Sequence, residues 1–241
     1  MKIRPVLKYL LPYIIPACAV FSVLPTFAQN KPFTFGVNAG LNISNAYEGA
    51  NYILAPKKSK PGFQAGFNID YAVSDNFYLR SGLSLTTKGV IHEKTDIWIG
   101  GSNPPVTYSK TTTRETYLQL PLLIGYQYHI TPAYRLFAQA GPYFAYGIGG
   151  KEITESKTIH QSEEIDNKKV STDTFGEKGT GLSRTDCGLG GGLGVGYKRI
   201  ALMISYELGL VNLAPDKEPG TTSSVRFYKN RNLSITVGYR L

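Results

Sequence analysis

The 241 residues suit one domain, since a single all-β domain can use this much chain. The 26 Lys and Arg outnumber the 17 Asp and Glu, a basic balance that ordinarily hints at nucleic acid or an anionic surface. The two cysteines, Cys18 and Cys187, lie on opposite sides of an expected cleavage site, which excludes an internal disulfide in the mature chain.

Residues 1–28 have the layout of a secretory signal peptide. Lys2, Arg4 and Lys8 form a basic start, an apolar stretch follows from Leu10 to Leu24, and Thr26-Phe27-Ala28 sets small residues at −3 and −1 before Gln29. Pro12, Pro16 and Pro25 interrupt the apolar run, which speaks against a permanent membrane helix of about 20 residues. Ile15-Pro16-Ala17-Cys18 offers a lipoprotein-type site instead, so processing at Cys18 or after Ala28 are both open. Cleavage after Ala28 leaves 23 Lys and Arg, a net charge of +6, and export removes nucleic acid from the expected partners.

From residue 29 to 241 a single outer-membrane β-barrel domain is expected. No helical period is sustained, and apolar and polar residues alternate with period two instead. In 33–44, Phe33, Phe35, Val37, Ala39, Leu41 and Ile43 alternate with Thr34, Gly36, Asn38, Gly40, Asn42 and Ser44. In 63–73, Phe63, Ala65, Phe67, Ile69, Tyr71 and Val73 alternate with Gln64, Gly66, Asn68 and Asp70. Similar segments follow at 77–88, 116–128, 134–148, 186–197 and 200–211, and Leu233, Ile235, Val237, Tyr239 and Leu241 close the chain. These eight segments are each long enough for the roughly 9–11 residues of a tilted membrane strand. Short connections at 74–76, 129–133 and 198–199 alternate with long polar ones at 45–62, 89–115, 149–185 and 212–231. That asymmetry predicts an eight-stranded antiparallel up-and-down transmembrane barrel, with periplasmic turns and extracellular loops.

A soluble barrel alternates too, with its apolar set inside, so charge must decide which face meets lipid. Within membrane-length cores six charged residues occur, Asp70, Arg80, Arg135, Asp186, Glu207 and Arg240, all on the non-apolar face. The set is sparse, neutral and accompanied by Gly188, Gly190, Gly192, Gly194 and Gly196, which suits the narrow interior of an eight-stranded barrel. Burial would require these charges to pair. If 74–76 is a tight turn, Asp70 lies directly opposite Arg80, and an ion pair is expected there. Tyr71, Phe77, Tyr126, Tyr128, Tyr134, Tyr197 and Tyr239 gather near the short-turn ends, like an interfacial aromatic girdle, with ordinary sandwich core as the alternative.

Several stretches carry a family resemblance. Gly36-Val37-Asn38-Ala39-Gly40-Leu41-Asn42-Ile43-Ser44 resembles the opening strand of the PorT-like outer-membrane β-barrel family. Tyr117-Leu118-Gln119-Leu120-Pro121-Leu122-Leu123, Ala140-Gly141-Pro142-Tyr143, Asp186-Cys187-Gly188-Leu189-Gly190 and Asn232-Leu233-Ser234-Ile235-Thr236-Val237-Gly238-Tyr239 resemble later ones. Leu241 departs from the aromatic residue with which such barrels often end. The resemblance implies an eight-stranded outer-membrane barrel without a shared catalytic site, and its namesake takes part in protein export to the cell surface. Outer-membrane lipid, the barrel-assembly machinery and a secretion-system or surface protein are the partners it suggests.

Chemistry offers less. His92, His129 and His160 survive processing, and His92 has Glu93 and Asp96 near it in sequence. No His/Cys cluster has ligand spacing, so neither metal nor cofactor is expected. The glycines at 188–196 satisfy no G-x-G-x-x-G register and read as relief of crowding. Cys187 belongs to the apolar set, and Trp98 fits a partner anchor or the outer lipid interface. The expectation is a non-enzymatic barrel with a plugged polar interior, acting as a structural or interaction scaffold, with a narrow pore for hydrophilic solutes and a His92-centred hydrolase as alternatives.

Overall fold

The computed structural model describes residues 32–50, 56–97, 104–161, 163–176, 181–214 and 225–241. The proposed signal peptide and Trp98 lie outside these. Among the described residues nine strands form one antiparallel sheet. They are β1 (Phe33–Ala50), β2 (Lys57–Ala72), β3 (Phe77–Ile97), β4 (Val106–His129), β5 (Tyr134–His160), β6 (Glu163–Asp173), β7 (Thr185–Tyr197), β8 (Ile200–Gly209) and β9 (Val225–Arg240). Pairing runs from β1 through β2, β3, β4, β5, β7, β8 and β9 and back to β1, so the sheet closes on itself and leaves no open edge in the wall.

Nine strands replace the eight expected. β6 pairs only with Lys151–His160 of β5, beyond the stretch Tyr134–Tyr146 that pairs with β7. β3, β4 and β5 also run well past the expected ends, through segments read as loops. The physical reason lies in the polar residues there, which face water on both sides and show no hydrophobic alternation. Their cohesion comes from backbone ladders and cross-strand hydroxyls instead. Thr107 with Thr158, Ser109 with Ser156 and Thr111 with Thr154 form a hydroxyl ladder at 3.0, 3.2 and 3.0 Å.

Turn chemistry sets the register at the other end. Phe77 donates its amide to the Ser74 hydroxyl at 3.1 Å, while Val73 donates to the Phe77 carbonyl at 2.9 Å. Thr131 Oγ1 accepts from the amides of Ala133 and Tyr134, an ST-type turn beside Pro132. Lys198 takes φ 51° in the two-residue link between Tyr197 and Ile200.

Burial inverts the soluble pattern. Along β1, Leu41 is 73% exposed and Ile43 54%, while Asn42 and Ser44 between them are 2% and 0%. The same holds for Leu193, Ile204 and Ile235 against Gly192, Ser205 and Ser234 on their own strands. An apolar belt of this size is tolerable only against another apolar medium. Near the short turns, Tyr71, Phe77, Tyr126, Tyr128, Tyr134, Tyr197 and Tyr239 are all exposed outward. Phe77 stacks edge-on with Tyr126 at 5.1 Å, and Tyr134 lies 4.7 Å from Tyr197.

The interior holds more than small groups. Tyr78, Tyr117, Phe137 and Tyr143 point inward and are buried. Glycine makes their room: a Cβ at Gly125 would sit 2.1 Å from the Tyr78 ring, and one at Gly194 2.2 Å from Phe137. These glycines are set by close approach, not by turn geometry.

Candidate functional site

The side chains with chemical capability line the barrel interior in layers. Nearest the short turns, the Val73–Phe77 hairpin sets Asp70 opposite Arg80 in register. Arg80 donates from Nε and Nη2 to the two Asp70 oxygens at 2.6 and 2.7 Å, a bidentate fork. Its Nη1 donates to Gln139 Oε1 at 2.9 Å, joined there by the Tyr78 hydroxyl at 3.2 Å. Arg240 reaches the same carboxylate less closely, at 3.7 Å, and Arg135 donates to the Lys198 carbonyl at 3.2 Å. One acid thus faces three guanidinium groups.

The next layer reverses the sign. Lys88 on β3 is fully buried and crosses the interior to Glu207 on β8 at 3.2 Å and Asp186 on β7 at 3.6 Å. Its ammonium also sits 4.3 Å from the centre of the Tyr143 ring. Gln119 on β4 donates to the other Glu207 oxygen at 2.6 Å, and Asn232 on β9 adds a bond at 3.3 Å. Glu115 on β4 accepts from Tyr228 and Asn230 of β9 and from Tyr117, the latter two each at 2.9 Å. Asn232 reaches Glu207 from the neighbouring strand and Tyr117 reaches Glu115 within β4. The links from Lys88 to Glu207 and Asp186, from Gln119 to Glu207 and from Glu115 to Tyr228 and Asn230 join strands that are not neighbours in the wall. These span the interior, which is therefore occupied side to side by hydrogen-bonded polar groups and aromatic rings.

Above it sits an apolar lid. Phe175, Leu182, Leu213 and Ala214, from the segments before β7 and after β8, bury against Ala46, Val90, Tyr117 and Tyr228. Phe175 meets Tyr117 edge-on at 5.6 Å.

The six charges picked out in the sequence occupy this interior: Asp70, Arg135 and Asp186 are buried, and Arg80, Glu207 and Arg240 half-buried. Sequence reasoning omitted Lys88 and Glu115, which are wholly buried, and Glu48 and Lys60 nearer the rim. A signal for two of them was available. Lys88 shares the parity of Arg80 on β3, and Glu115 that of Gln119 on β4, but trimming to membrane length removed Lys88, and Glu115 fell in the expected loop 89–115.

His92 also has a different partner from those near it in sequence. Its Nε2 lies 3.0 Å from Glu48 Oε2 on β1, whereas Glu93 pairs with Lys58 and Asp96 with Lys94. Adjacent strand residues point to opposite faces, which separates Glu93 from His92, and Asp96, on the same face, is about 13 Å further along the strand. Among the described residues no hydroxyl nucleophile is hydrogen-bonded to His92. His129 ends β4 in an exposed position, and His160 ends β5. Cys187 is half-buried and opposite Phe144.

Among solved structures, this chain resembles the attachment invasion locus protein Ail of Yersinia pestis at 12% identity, with 88% of this chain and 100% of that one covered and a TM-score of 0.35. OprG of Pseudomonas aeruginosa matches at 13% identity, 88% and 97% coverage and a TM-score of 0.38. Neisserial surface protein A matches at 15%, 86% and 97%, with a TM-score of 0.33. No curated protein sequence matches. The family described as outer membrane protein beta-barrel domain matches residues 27–214, most of the chain and all strands but β9. With a closed antiparallel sheet whose apolar face turns outward, this chain belongs to that outer-membrane β-barrel family.

Proposed function

We propose that residues 1–28 export the chain, and that residues 29–241 form an eight-stranded outer-membrane barrel, β1–β5 and β7–β9, acting as a closed scaffold. One observation carries this reading: Lys88, Glu207, Glu115 and Asn230 tie opposite walls together through the middle of the barrel. A barrel of this strand number has room inside for little beyond its own side chains. Binding capacity then falls to the projecting sheet of β3, β4, β5 and β6, which offers exposed backbone and mixed charge to a partner. Within the family, the resemblance to PorT-like barrels favours a surface protein or a component of an export machinery as that partner, rather than a catalytic role.

The test has two arms. Planar-bilayer recordings of the refolded protein are expected to show no sustained open-channel steps, and such steps would replace the scaffold with a narrow solute pore. Crosslinking in cells, followed by purification in detergent, is expected to recover a cell-envelope protein that is lost when 151–173 is deleted. Recovery unchanged by that deletion would move the binding surface elsewhere.

A further inference from the structure

The layer nearest the short turns is unbalanced, and the imbalance points into a cavity. A space of about 110 Å³ lies between the arginine layer and the Lys88 layer, lined by Arg80, Arg135, Arg240, Gln139, Asn68 and Glu207 among others. The two sides differ in how well they are satisfied. Glu207 already takes bonds from Lys88, Gln119 and Asn232. Arg80 is fully engaged with Asp70 and Gln139. On Arg135 and Arg240, in contrast, the guanidinium Nε atoms are buried and have no hydrogen-bond partner among the described residues. Arg135 as a whole is 7% exposed. Two positive charges beyond what Asp70 neutralises are held there, and burial of unpaired charge is costly.

Access comes from one side. The side chains of Arg80 and Arg240 are 17% and 25% exposed, whereas those of Lys88 and Asp186 are 0%. The adjacent turn carries Lys198 and Arg199, both exposed at this end of the barrel, which favours the approach of an anion from that side. A water needs roughly 10–15 Å³ of such space, so the cavity holds a group of several heavy atoms, the size of one tetrahedral oxyanion. Guanidinium groups suit that shape because their donors form a planar fork.

We propose that this vestibule binds one phosphate-type oxyanion, held by Arg135 and Arg240 and entering from the short-turn end. The same chemistry is available as free phosphate or as the phosphomonoester headgroup of a lipid. The site lies inside the barrel, so it stands independently of the scaffold reading above.

The protein refolded in an uncharged maltoside detergent is titrated with inorganic phosphate at constant ionic strength set by chloride, and thermal unfolding is followed. Phosphatidic acid mixed into the micelles forms the second arm. Saturable stabilisation by inorganic phosphate assigns a free anion, and stabilisation by phosphatidic acid alone assigns a headgroup. Either response is expected to weaken at least tenfold in Arg135→Gln/Arg240→Gln. Arg135→Lys, which keeps the charge but loses the fork, is expected to fold and to bind phosphate several-fold more weakly. No saturable response in either arm would overturn the proposal. So would a response of equal strength in the variants, since the anion would then sit elsewhere.

Discussion

Lys88 on β3 and Glu207 on β8 meet across the barrel interior at 3.2 Å, with Asp186 as a second acid 3.6 Å from the same ammonium. The lysine side chain is fully buried, so its charge depends on those two carboxylates. Lys88→Met leaves them without their cation, and breaking such a pair from one side costs about 3–5 kcal/mol. Lys88→Met is therefore expected to destabilise strongly in urea unfolding from lipid vesicles. Adding Glu207→Gln should restore part of the loss, because it removes one stranded charge. A Lys88→Met protein as stable as the parent would show that the bridge has no structural role.

Leu41 is 73% exposed between Gly40 and the buried Asn42, the position expected of a side chain in hydrocarbon. Leu41→Arg is expected to cost about 2–4 kcal/mol near the bilayer midplane. Thr95→Arg, on the projecting part of β3, should cost almost nothing. Equal effects of the two in vesicle-based unfolding would mean that the outward apolar face does not meet lipid.

Gly125 leaves the space that the Tyr78 ring fills, with a Cβ there 2.1 Å from the ring. Gly125→Ala is expected to cost about 1–3 kcal/mol through overpacking. The cost should shrink in a Tyr78→Ala background, and a double-mutant cycle measures the coupling. Additive effects would place the strain elsewhere.

The β5–β6 hairpin carries Lys169–Glu155 and Lys157–Glu164 pairs on its surface. Hydrogen bonds from these lysines hold both carboxyls below the usual glutamate range. A depressed folded-state value stabilises above the unfolded value, about 4.3, and the contribution disappears as pH falls through the folded one. Amide protection in β6 is expected to be flat from about pH 6 to 8 and to decline below about pH 4. The pairs are exposed and screened, so added salt should reduce the difference. Protection that rises on acidification would contradict this assignment.

Histidine placement shows why local reading reaches only so far. His92, Glu93 and Asp96 looked like one group because they are close along the chain. On a strand the alternation sends His92 and Glu93 to opposite faces, and His92 meets Glu48, 44 residues away. The polar ends of β3, β4 and β5 were illegible for a related reason. With water on both faces there is no selection for alternation, so the strand leaves no periodic trace.

Period-two alternation, the sparse and matched charges on one face and the turn residues determined which side chains face outward and where the tight turns fall. These are local properties, because side-chain direction on a strand depends only on position parity. The tertiary structure alone decided that Lys88 reaches Glu207, that Glu115 meets Tyr228 and Asn230, and that β6 folds back on β5. The first two of these encounters join strands distant in sequence. They arise only when the sheet closes and the narrow interior compels opposite walls to satisfy each other's buried polar groups.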